Sequence, residues 1–334
     1  MSTRRKAAFF NVNPAMIDRV WGLGRRERIS ELTDMYPHLV GRADFDTHAA
    51  AIADVECVFS TWGMWTPDEA QLARLPKLKV VFYAAGSVQA FARPFLSRGI
   101  AVMSAWHANA APVAKYALAQ IILSQKGYWR NTRDSGTPEG RAAGPFRGRG
   151  NFGATVAVLG AGAVGSRVIA LLRPFNLNIV VFDPFLPDAK AAEWGVEKVS
   201  LADAFARADV VSNHLANLPQ TVGMLHGEHF VAMPDHATFI NTGRGATVNE
   251  PDLIAELSRR PTLTALLDVT DPEPPTPDSP LYALENVHLT SHIAGSLGDE
   301  VVRQADLAIE EFGRYDRGEP LKYGVTEKML ETMA

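Results

Sequence analysis

The chain is poor in cysteine, in long apolar runs and in excess basic charge. Its 334 residues include one cysteine, Cys57, which excludes an intrachain disulfide framework and is expected to be a buried small hydrophobe. No apolar stretch reaches the roughly 18 residues that suggest a membrane span, and no apolar segment of signal-peptide length follows the basic N-terminus. A net charge of −4 gives no support for nucleic acid as a partner. We therefore expect a cytoplasmic protein with neither a nucleic-acid nor a membrane partner.

Metal ligands are also not evident in the sequence. The nine histidines are scattered, and no cluster of histidine, cysteine and aspartate shows the spacing of metal ligands. The sequence analysis therefore predicts no metal site.

Short apolar runs alternate with helix-length amphipathic segments over most of the chain. The runs read as strands are KLKVVFYAAG, GIAVMSA, TVAVLG, NIVVFD, DVVSNHL, ATFINTG, LTALLDV and VHLTSH. Alternation of strands and helices predicts an α/β fold with parallel sheets and right-handed crossovers. The length suits about two domains.

A glycine-rich loop joins one of these strands to a helix-like segment. Gly160, Gly162 and Gly165 have the spacing G-x-G-x-x-G, and Gly160 is the last residue of TVAVLG. In this context the glycines allow a tight turn, close approach of a pyrophosphate and close packing of helix on strand. The N–H groups at the helix start, near Ala163 and Val164, would face the anion. The loop therefore predicts a dinucleotide site.

The next strand, NIVVFD, ends in Asp183, about 20 residues on from the loop, where the fingerprint expects an acidic residue. A carboxylate there accepts hydrogen bonds from ribose hydroxyls and repels a 2′-phosphate, which favours NAD over NADP. The alternative is a glycine turn without a ligand, but strand, helix and terminal Asp183 together favour the dinucleotide.

Three later strand ends carry ionisable residues. Arg244 directly follows ATFINTG and lies between two glycines, Glu273 lies in a proline-rich loop after Asp268, and His292 is the last residue of VHLTSH. An arginine binds a carboxylate bidentately, and a histidine oriented by a glutamate exchanges a proton with a hydroxyl. An arginine, a glutamate and a histidine together suit the oxidation of a substrate whose alcohol group lies next to a carboxylate. Taken singly, Glu273 reads as a solvated residue and His292 as a structural one.

Together these stretches resemble the D-isomer-specific 2-hydroxyacid dehydrogenases. The resemblance covers nearly the whole chain, and its motifs are LPKLKVV, RGIAV, the glycine loop with Asp183, INTGRGATVNE, LDVTDPEP, DSPL, NVHLTSHIAG and the closing GEP. It implies that Arg244 binds and polarises a 2-oxo acid, that His292 is the acid/base and that Glu273 is its partner. The implied reaction interconverts a D-2-hydroxy acid and its 2-oxo acid with NAD(H).

The resemblance also implies an α/β architecture of two Rossmann/flavodoxin-like, doubly wound parallel-sheet domains with a cleft between them. A substrate domain would comprise residues 1–107 plus 303–334, and an NAD-binding domain residues 108–302. The chain would form a homodimer through the NAD-binding domain. Further cofactor contacts are implied at Pro184, His214, Thr221, Thr242, Gly243, Asp268, Ala294 and Gly295.

Some positions depart from the family's pattern near the implied cofactor site. Ser291 precedes His292 where the family has proline, Ala216 and Leu218 replace a common proline and threonine, and Lys115 replaces a common glutamate. None of these changes removes a catalytic group.

The substrate side departs further. The family's loop whose N–H groups hold the substrate carboxylate resembles YAAGSVQAF here, so Ala85, Gly86 and Ser87 are the expected donors. Trp62 stands where phosphoglycerate-type members carry arginine, and Trp106 stands where proline is usual. A phosphorylated substrate needs cationic partners, so we expect instead a 2-oxo acid with a bulky uncharged group.

Two alternatives stay open. Trp62, Trp65 and Trp106 could simply pack the domain or dimer surface. The chain could also be a corepressor-like NAD(H) sensor, because the family includes a transcriptional corepressor that keeps the catalytic residues. A third reading, a homocysteine-releasing hydrolase of the Rossmann class, should show added cysteine or lysine chemistry that this sequence lacks.

Overall fold

The computed structural model describes residues 4–333, in which strands and helices alternate. The strands are β1 (Lys6–Phe10), β2 (Asp34–Val40), β3 (Cys57–Ser60), β4 (Val80–Tyr83), β5 (Ala101–Ser104), β6 (Phe152–Leu159), β7 (Asn176–Phe182), β8 (Glu197–Lys198), β9 (Val210–Asn213), β10 (Thr238–Asn241), β11 (Thr264–Leu267), β12 (Val287–Leu289) and β13 (Gly324–Val325). The helices are α1 (Pro14–Val20), α2 (Arg25–Leu32), α3 (Phe45–His48), α4 (Glu69–Ala73), α5 (Ala92–Leu96), α6 (Trp106–Gln125), α7 (Tyr128–Asp134), α8 (Pro138–Ala142), α9 (Gly165–Leu172), α10 (Asp188–Trp194), α11 (Leu201–Arg207), α12 (Gly227–Ala232), α13 (Glu250–Arg259) and α14 (Val302–Asp316).

The chain divides into two compact units. Unit 1 comprises Met1–Ala110 and Ser296–Ala334, and unit 2 comprises Ala111–Gly295. Both chain ends therefore contribute to unit 1. The sequence placed the corresponding boundaries at 107/108 and 302/303.

Unit 1 contains a six-stranded sheet in the order β2-β1-β3-β4-β5-β13. The first five strands are parallel, and β13 is antiparallel to β5. The parallel part has the flavodoxin-like order 2-1-3-4-5. Alternate residues of β1 face opposite sides of this sheet, so Ala7 and Phe9 enter one apolar core and Ala8 and Phe10 enter the other.

Unit 2 contains a seven-stranded sheet in the order β8-β7-β6-β9-β10-β11-β12, with all neighbouring pairs parallel. The strand order reverses between β6 and β9, as in the Rossmann fold, and ligands bind outside the carboxyl ends of the strands at such a point. The predicted glycine loop directly follows β6 and lies at this position. The predicted fold of two doubly wound parallel sheets is confirmed.

Cys57 lies in β3 and is fully buried. Burial raises the pKa of its thiol to about 12, so the thiol stays protonated and acts as a small apolar group. Among residues 4–333, no helix is long and apolar enough to cross a membrane.

The core of unit 1 generates a stability prediction. The ring of Phe59 is fully buried and lies with its centroid 5.1 Å from that of Phe82 and 5.5 Å from that of Trp21. We expect Phe59→Ala to lower the free energy of unfolding by about 3–5 kcal/mol through lost burial and a cavity. Urea unfolding of the full chain measures the change. Phe152→Ala is the matched control because Phe152 is 79% exposed, and an equal loss in both variants would contradict the assignment.

Candidate active site

The glycine loop after β6 has the geometry that the sequence predicted for it. Gly160 has φ +85°, and a Cβ there would lie 3.0 Å from the carbonyl oxygen of His214. A Cβ on Gly165 would lie 1.9 Å from the carbonyl oxygen of Gly160, so only glycine permits α9 to start this close to the loop. A Cβ on Gly162 would meet no atom within 4 Å, which leaves this side of the loop open.

The start of α9 offers hydrogen-bond donors to an anion. The first N–H groups of a helix have no acceptor within the helix, and none of the hydrogen bonds observed among residues 4–333 has the N–H of Ala163 or Val164 as its donor. Together with the open side at Gly162, these donors fit the pyrophosphate of a dinucleotide.

Asp183 follows β7 and holds the glycine loop in place. Its Oδ2 accepts the N–H of Ala161 at 2.7 Å, and its Oδ1 accepts the N–H of Phe185 at 2.7 Å. A carboxylate has about four acceptor positions, so both oxygens can still accept ribose hydroxyls. Pro184, beside Asp183, is exposed.

Two residues that the sequence assigned to the cofactor, His214 and Thr242, contact each other. The Nδ1 of His214 lies 3.0 Å from the hydroxyl of Thr242, and its Nε2 lies 2.9 Å from the hydroxyl of Ser212. Burial lowers the pKa of His214 to about 3, so the ring is neutral at physiological pH. Ser212 was not among the predicted site residues, although it precedes the strand end of β9 by one position.

Thr221 and Gly243 have structural contacts of their own. The Thr221 hydroxyl donates to the carbonyl oxygen of Ala216 at 2.6 Å and accepts the N–H of Leu218 at 2.9 Å, so it closes the loop after β9. The N–H of Gly243 donates to the Asn241 side chain at 3.1 Å. These hydrogen bonds within the protein order the two loops and do not require a bound cofactor.

His292 and Glu273 form a direct pair. The Nδ1 of His292 lies 2.7 Å from Oε1 of Glu273. Both side chains are partly exposed, with 47% and 41% of their surface accessible, so the pair is open to solvent. Because Nδ1 faces the carboxylate, Nε2 is the nitrogen left for exchange of a proton with a substrate.

The loop that carries His292 is anchored on Asp268, at the end of β11. The buried carboxylate accepts the N–H of Ile293 at 2.7 Å and of Ala294 at 3.0 Å, and the hydroxyl of Thr290 at 2.6 Å. The N–H of His292 donates to the Asp268 carbonyl oxygen at 3.1 Å. His292 has φ +57°, a conformation that non-glycine residues seldom adopt. The four hydrogen bonds to Asp268 hold it there.

Arg244 lies in the loop after β10. Burial lowers the pKa of its guanidinium from its ordinary value, and the negative charge of Glu273 opposes this effect. The neighbouring Gly245 packs against the backbone of Thr270, where a Cβ would lie 2.0 Å from the carbonyl carbon. The absence of a side chain at Gly245 thus brings the Arg244 loop onto the loop that carries Glu273.

A buried amide network that the sequence analysis missed positions Arg244. The Asn213 side chain donates to Oδ1 of Asn241 at 3.0 Å and to the hydroxyl of Thr247 at 2.9 Å. Thr247 in turn donates to the Arg244 carbonyl oxygen at 2.8 Å. The signal was an asparagine at the end of each apolar strand, β9 and β10, since a buried polar side chain needs partners.

The predicted substrate residues belong to unit 1. Trp62 and Trp106 are half-buried and pack against the apolar cores of that unit. Trp65 is 6% exposed and stacks on Phe10 with ring centroids 5.3 Å apart. For Trp65 the packing alternative is therefore confirmed. Ala85, Gly86 and Ser87 follow β4, and only Ser87 is fully exposed.

The sequence analysis also overlooked one group of potential metal ligands. His226, Glu228 and His229 each place a ligand atom within 4.8 Å of the others. Burial is the main cause that lowers the pKa of His229, and its Nδ1 accepts the N–H of His226 at 3.3 Å. In the neutral ring the proton then lies on Nε2, so neither nitrogen offers a free lone pair. We assign no metal to this group.

A family of known proteins matches this chain in sequence. The model of the NAD-binding domain of D-isomer specific 2-hydroxyacid dehydrogenases matches residues 120–294, just over half of the chain. The chain therefore belongs to the D-isomer specific 2-hydroxyacid dehydrogenases and carries their NAD-binding domain.

The sequence identity between this chain and individual relatives is low. D-3-phosphoglycerate dehydrogenase of Mycobacterium bovis is 32% identical over 258 residues, covering 77% of this chain and 48% of the relative. That of Archaeoglobus fulgidus is 29% identical, covering 70% of this chain and 44% of the relative. The chain thus spans about half the length of these relatives. The apo structure of Rhodotorula graminis D-mandelate dehydrogenase has the same fold, with a TM-score of 0.80 at 22% identity, covering 97% and 98% of the two chains.

The neutral ring of the half-buried His214 generates a prediction on pH. The unfolded chain takes up a proton on this histidine near its ordinary pKa of 6.5, whereas the folded protein does so only near 3. The stability that the neutral ring contributes is present above about pH 6.5 and is lost as the pH falls towards about 3. We expect the free energy of unfolding of His214→Gln to fall less steeply between pH 7 and about pH 4 than that of the wild type. Denaturant unfolding at a series of pH values measures both slopes.

The exposed His38 provides the control for this experiment. His38→Gln makes the same chemical change at the surface and should leave the wild-type slope in place. If the free energy of unfolding depends on pH equally in wild type and in His214→Gln, protonation of His214 does not cause this dependence.

Proposed function

We propose that this chain is an NAD(H)-dependent oxidoreductase that interconverts a D-2-hydroxy acid and its 2-oxo acid. The observation that carries the proposal is the His292–Glu273 pair, with 2.7 Å between Nδ1 and Oε1, in a chain that has the NAD-binding domain of this family. Arg244, whose charge interacts with Glu273, supplies the cation that a carboxylate substrate requires.

In this proposal His292 moves the proton. Glu273 holds Nδ1, so Nε2 gives a proton to the substrate oxygen during reduction and takes one during oxidation. Bound NAD(H) supplies or accepts the hydride. Arg244 binds the substrate carboxylate and polarises the 2-oxo group, because a guanidinium presents parallel donors in a planar fork.

The proposed cofactor contacts lie in the glycine loop and in the loops at the ends of the neighbouring strands. N–H groups near Ala163 and Val164 hold the pyrophosphate, and Asp183 accepts the ribose hydroxyls, which favours NAD over NADP. The remaining proposed contacts are Gly160, Gly162, Gly165, Pro184, His214, Thr221, Thr242, Gly243, Asp268, Ala294 and Gly295. Asp268 would reach the nicotinamide with an acceptor position that its anchoring bonds leave open.

We also propose that the substrate has a bulky uncharged group. Ala85, Gly86 and Ser87 would contribute N–H groups to its carboxylate, and Trp62 and Trp106 would face its side group. The half-buried state of both tryptophans supports this, because each residue keeps part of its surface accessible. We propose further that the chain acts in the cytoplasm as a homodimer joined through its NAD-binding domain, as the family resemblance implies.

The His292–Glu273 pair predicts the effect of removing one charge. Glu273→Gln keeps the shape of the side chain but loses the carboxylate that orients and stabilises the protonated ring. We expect kcat to fall about 10²-fold, with the Kd for NADH within about twofold of wild type because this residue is not among the proposed cofactor contacts. Steady-state kinetics and NADH fluorescence titration measure the two quantities. Glu285→Gln, at an exposed glutamate, is the control, and an unchanged kcat for Glu273→Gln would remove Glu273 from this role.

Turnover itself is tested by NADH oxidation against a panel of 2-oxo acids. The panel runs from glyoxylate and pyruvate through hydroxypyruvate to phenylpyruvate and sugar-derived 2-oxo acids, and the absorbance of NADH is followed. We expect turnover that His292→Ala lowers by about 10²–10⁴-fold. The larger uncharged members of the panel should have the highest kcat/KM.

Two outcomes would count against the proposal. Tight NADH binding without turnover of any 2-oxo acid would favour the NAD(H)-sensing alternative. An unchanged ranking of the panel in Trp62→Ala would exclude Trp62 from the substrate pocket.

A further inference from the structure

Hydroxyl groups from two neighbouring strands hold the loop after β4. Ser104, the last residue of β5, has its Oγ 3.0 Å from the carbonyl oxygen of Ala85 and 2.5 Å from that of Gly86. Thr61, which follows β3, donates its hydroxyl proton to the carbonyl oxygen of Ala84 at 2.8 Å. The single hydroxyl proton of Ser104 is thus shared between the carbonyl oxygens of Ala85 and Gly86, and Thr61 holds the carbonyl oxygen of Ala84.

The contacts of Ser104 determine where two N–H groups point. In a planar trans peptide unit the C=O and the N–H point in opposite directions. The C=O of Ala85 shares its plane with the N–H of Gly86, and the C=O of Gly86 shares its plane with the N–H of Ser87. Both peptide bonds are trans. Because both carbonyl oxygens point at the same hydroxyl, both N–H groups point away from Ser104 on the same side of the loop.

These two N–H groups are available to a ligand. None of the hydrogen bonds observed among residues 4–333 has the N–H of Gly86 or Ser87 as its donor. Gly86 is half-buried, and Ser87 is exposed. Two successive N–H groups that point the same way form a small concavity that binds an anion, and a carboxylate can accept one bond on each oxygen. The N–H of Ala85 belongs to the peptide unit held by Thr61, so Thr61 and not Ser104 fixes the direction of this third proposed donor.

Ser104 is well suited to fix this arrangement. Its side chain is fully buried at the sheet end, and its Oγ also accepts the N–H of Trp106 at 3.3 Å, at the start of α6. The hydroxyl thereby connects the loop to the first turn of that helix. Without the hydroxyl, the buried carbonyl of Ala85 would lose its partner, and an unpaired buried acceptor costs enough to turn the peptide towards another donor.

We propose that Ser104 is the positioning residue of the substrate carboxylate site, because it aligns the N–H groups of Gly86 and Ser87 as one pair. The inference rests on the proposed function for the identity of the ligand. Ser104 itself does not touch the substrate. Its effect is therefore expected in the affinity for the carboxylate and not in the transfer of the proton by His292.

The test compares Ser104→Ala, Ser104→Thr and the control Ser97→Ala in the full-length protein. Ser97 directly follows α5, and among residues 4–333 its hydroxyl donates only to the carbonyl oxygen of Pro94, at 3.3 Å, so the loss of this hydroxyl should leave all values at wild-type level. The probe is oxamate, an unreactive carboxylate analogue of a 2-oxo acid, titrated into the protein saturated with NADH. The measured quantities are the Kd of oxamate, the Kd of NADH, and KM and kcat for the best 2-oxo acid of the panel.

We expect Ser104→Ala to raise the Kd of oxamate and KM about tenfold, since misaligned N–H groups lose most of one charge-assisted hydrogen bond. The values of kcat and of the Kd for NADH should change less than about twofold, since neither depends on this pair. Ser104→Thr keeps the hydroxyl, so the Kd of oxamate and KM should return to their wild-type values.

Three results would overturn the inference. The first is wild-type oxamate affinity in Ser104→Ala. The second is a parallel loss of NADH affinity that Ser104→Thr does not restore, which would indicate a general structural defect. The third is a wild-type protein that binds no oxamate. A wild type that binds oxamate but oxidises no NADH would instead overturn the proposed function and leave the oxamate titrations to decide the role of Ser104.

Discussion

The buried carboxylate of Asp268 is the group on which the candidate active site depends. It lies at the end of β11 and accepts the N–H groups of Ile293 and Ala294 and the Thr290 hydroxyl, while its own carbonyl oxygen accepts the N–H of His292. These bonds offset the unfavourable positive φ of His292. Without them the imidazole would lose the orientation in which Nδ1 meets Glu273 and Nε2 is left free.

Close approach of backbone segments is the second constraint. Gly165 lets α9 begin against the carbonyl of Gly160, and Gly245 lets the Arg244 loop pack on Thr270. A charged group of the proposed reaction would lie next to each contact: the cofactor pyrophosphate near the first, and the guanidinium of Arg244 near the second. A side chain at either glycine would therefore move a binding group as well as strain the fold.

Hydroxyl and amide side chains at strand ends order the loops in both units. Asn213, Asn241 and Thr247 hold the carbonyl of Arg244 in unit 2. Ser104 and Thr61 hold the loop after β4 in unit 1. In parallel sheets the strand ends leave backbone groups without ladder partners, so short polar side chains there satisfy the backbone and fix its direction.

The sequence by itself determined the alternation of strands and helices and the glycine loop with Asp183, because apolar periodicity and turn chemistry are local. Arg244, Glu273 and His292 were singled out by their positions near strand ends and by the family resemblance, and their roles stay a proposal. All eight strands read from the sequence are present, whereas β1, β2, β3, β8 and β13 were not read; β2 contains a proline and β8 and β13 are only two residues long. Only the tertiary structure decided the anchoring by Asp268, the orienting contacts of Ser104 and the stacking of Trp65 on Phe10. These features depend on which distant segments pack together and on the direction of individual side chains, which no local pattern of residues encodes.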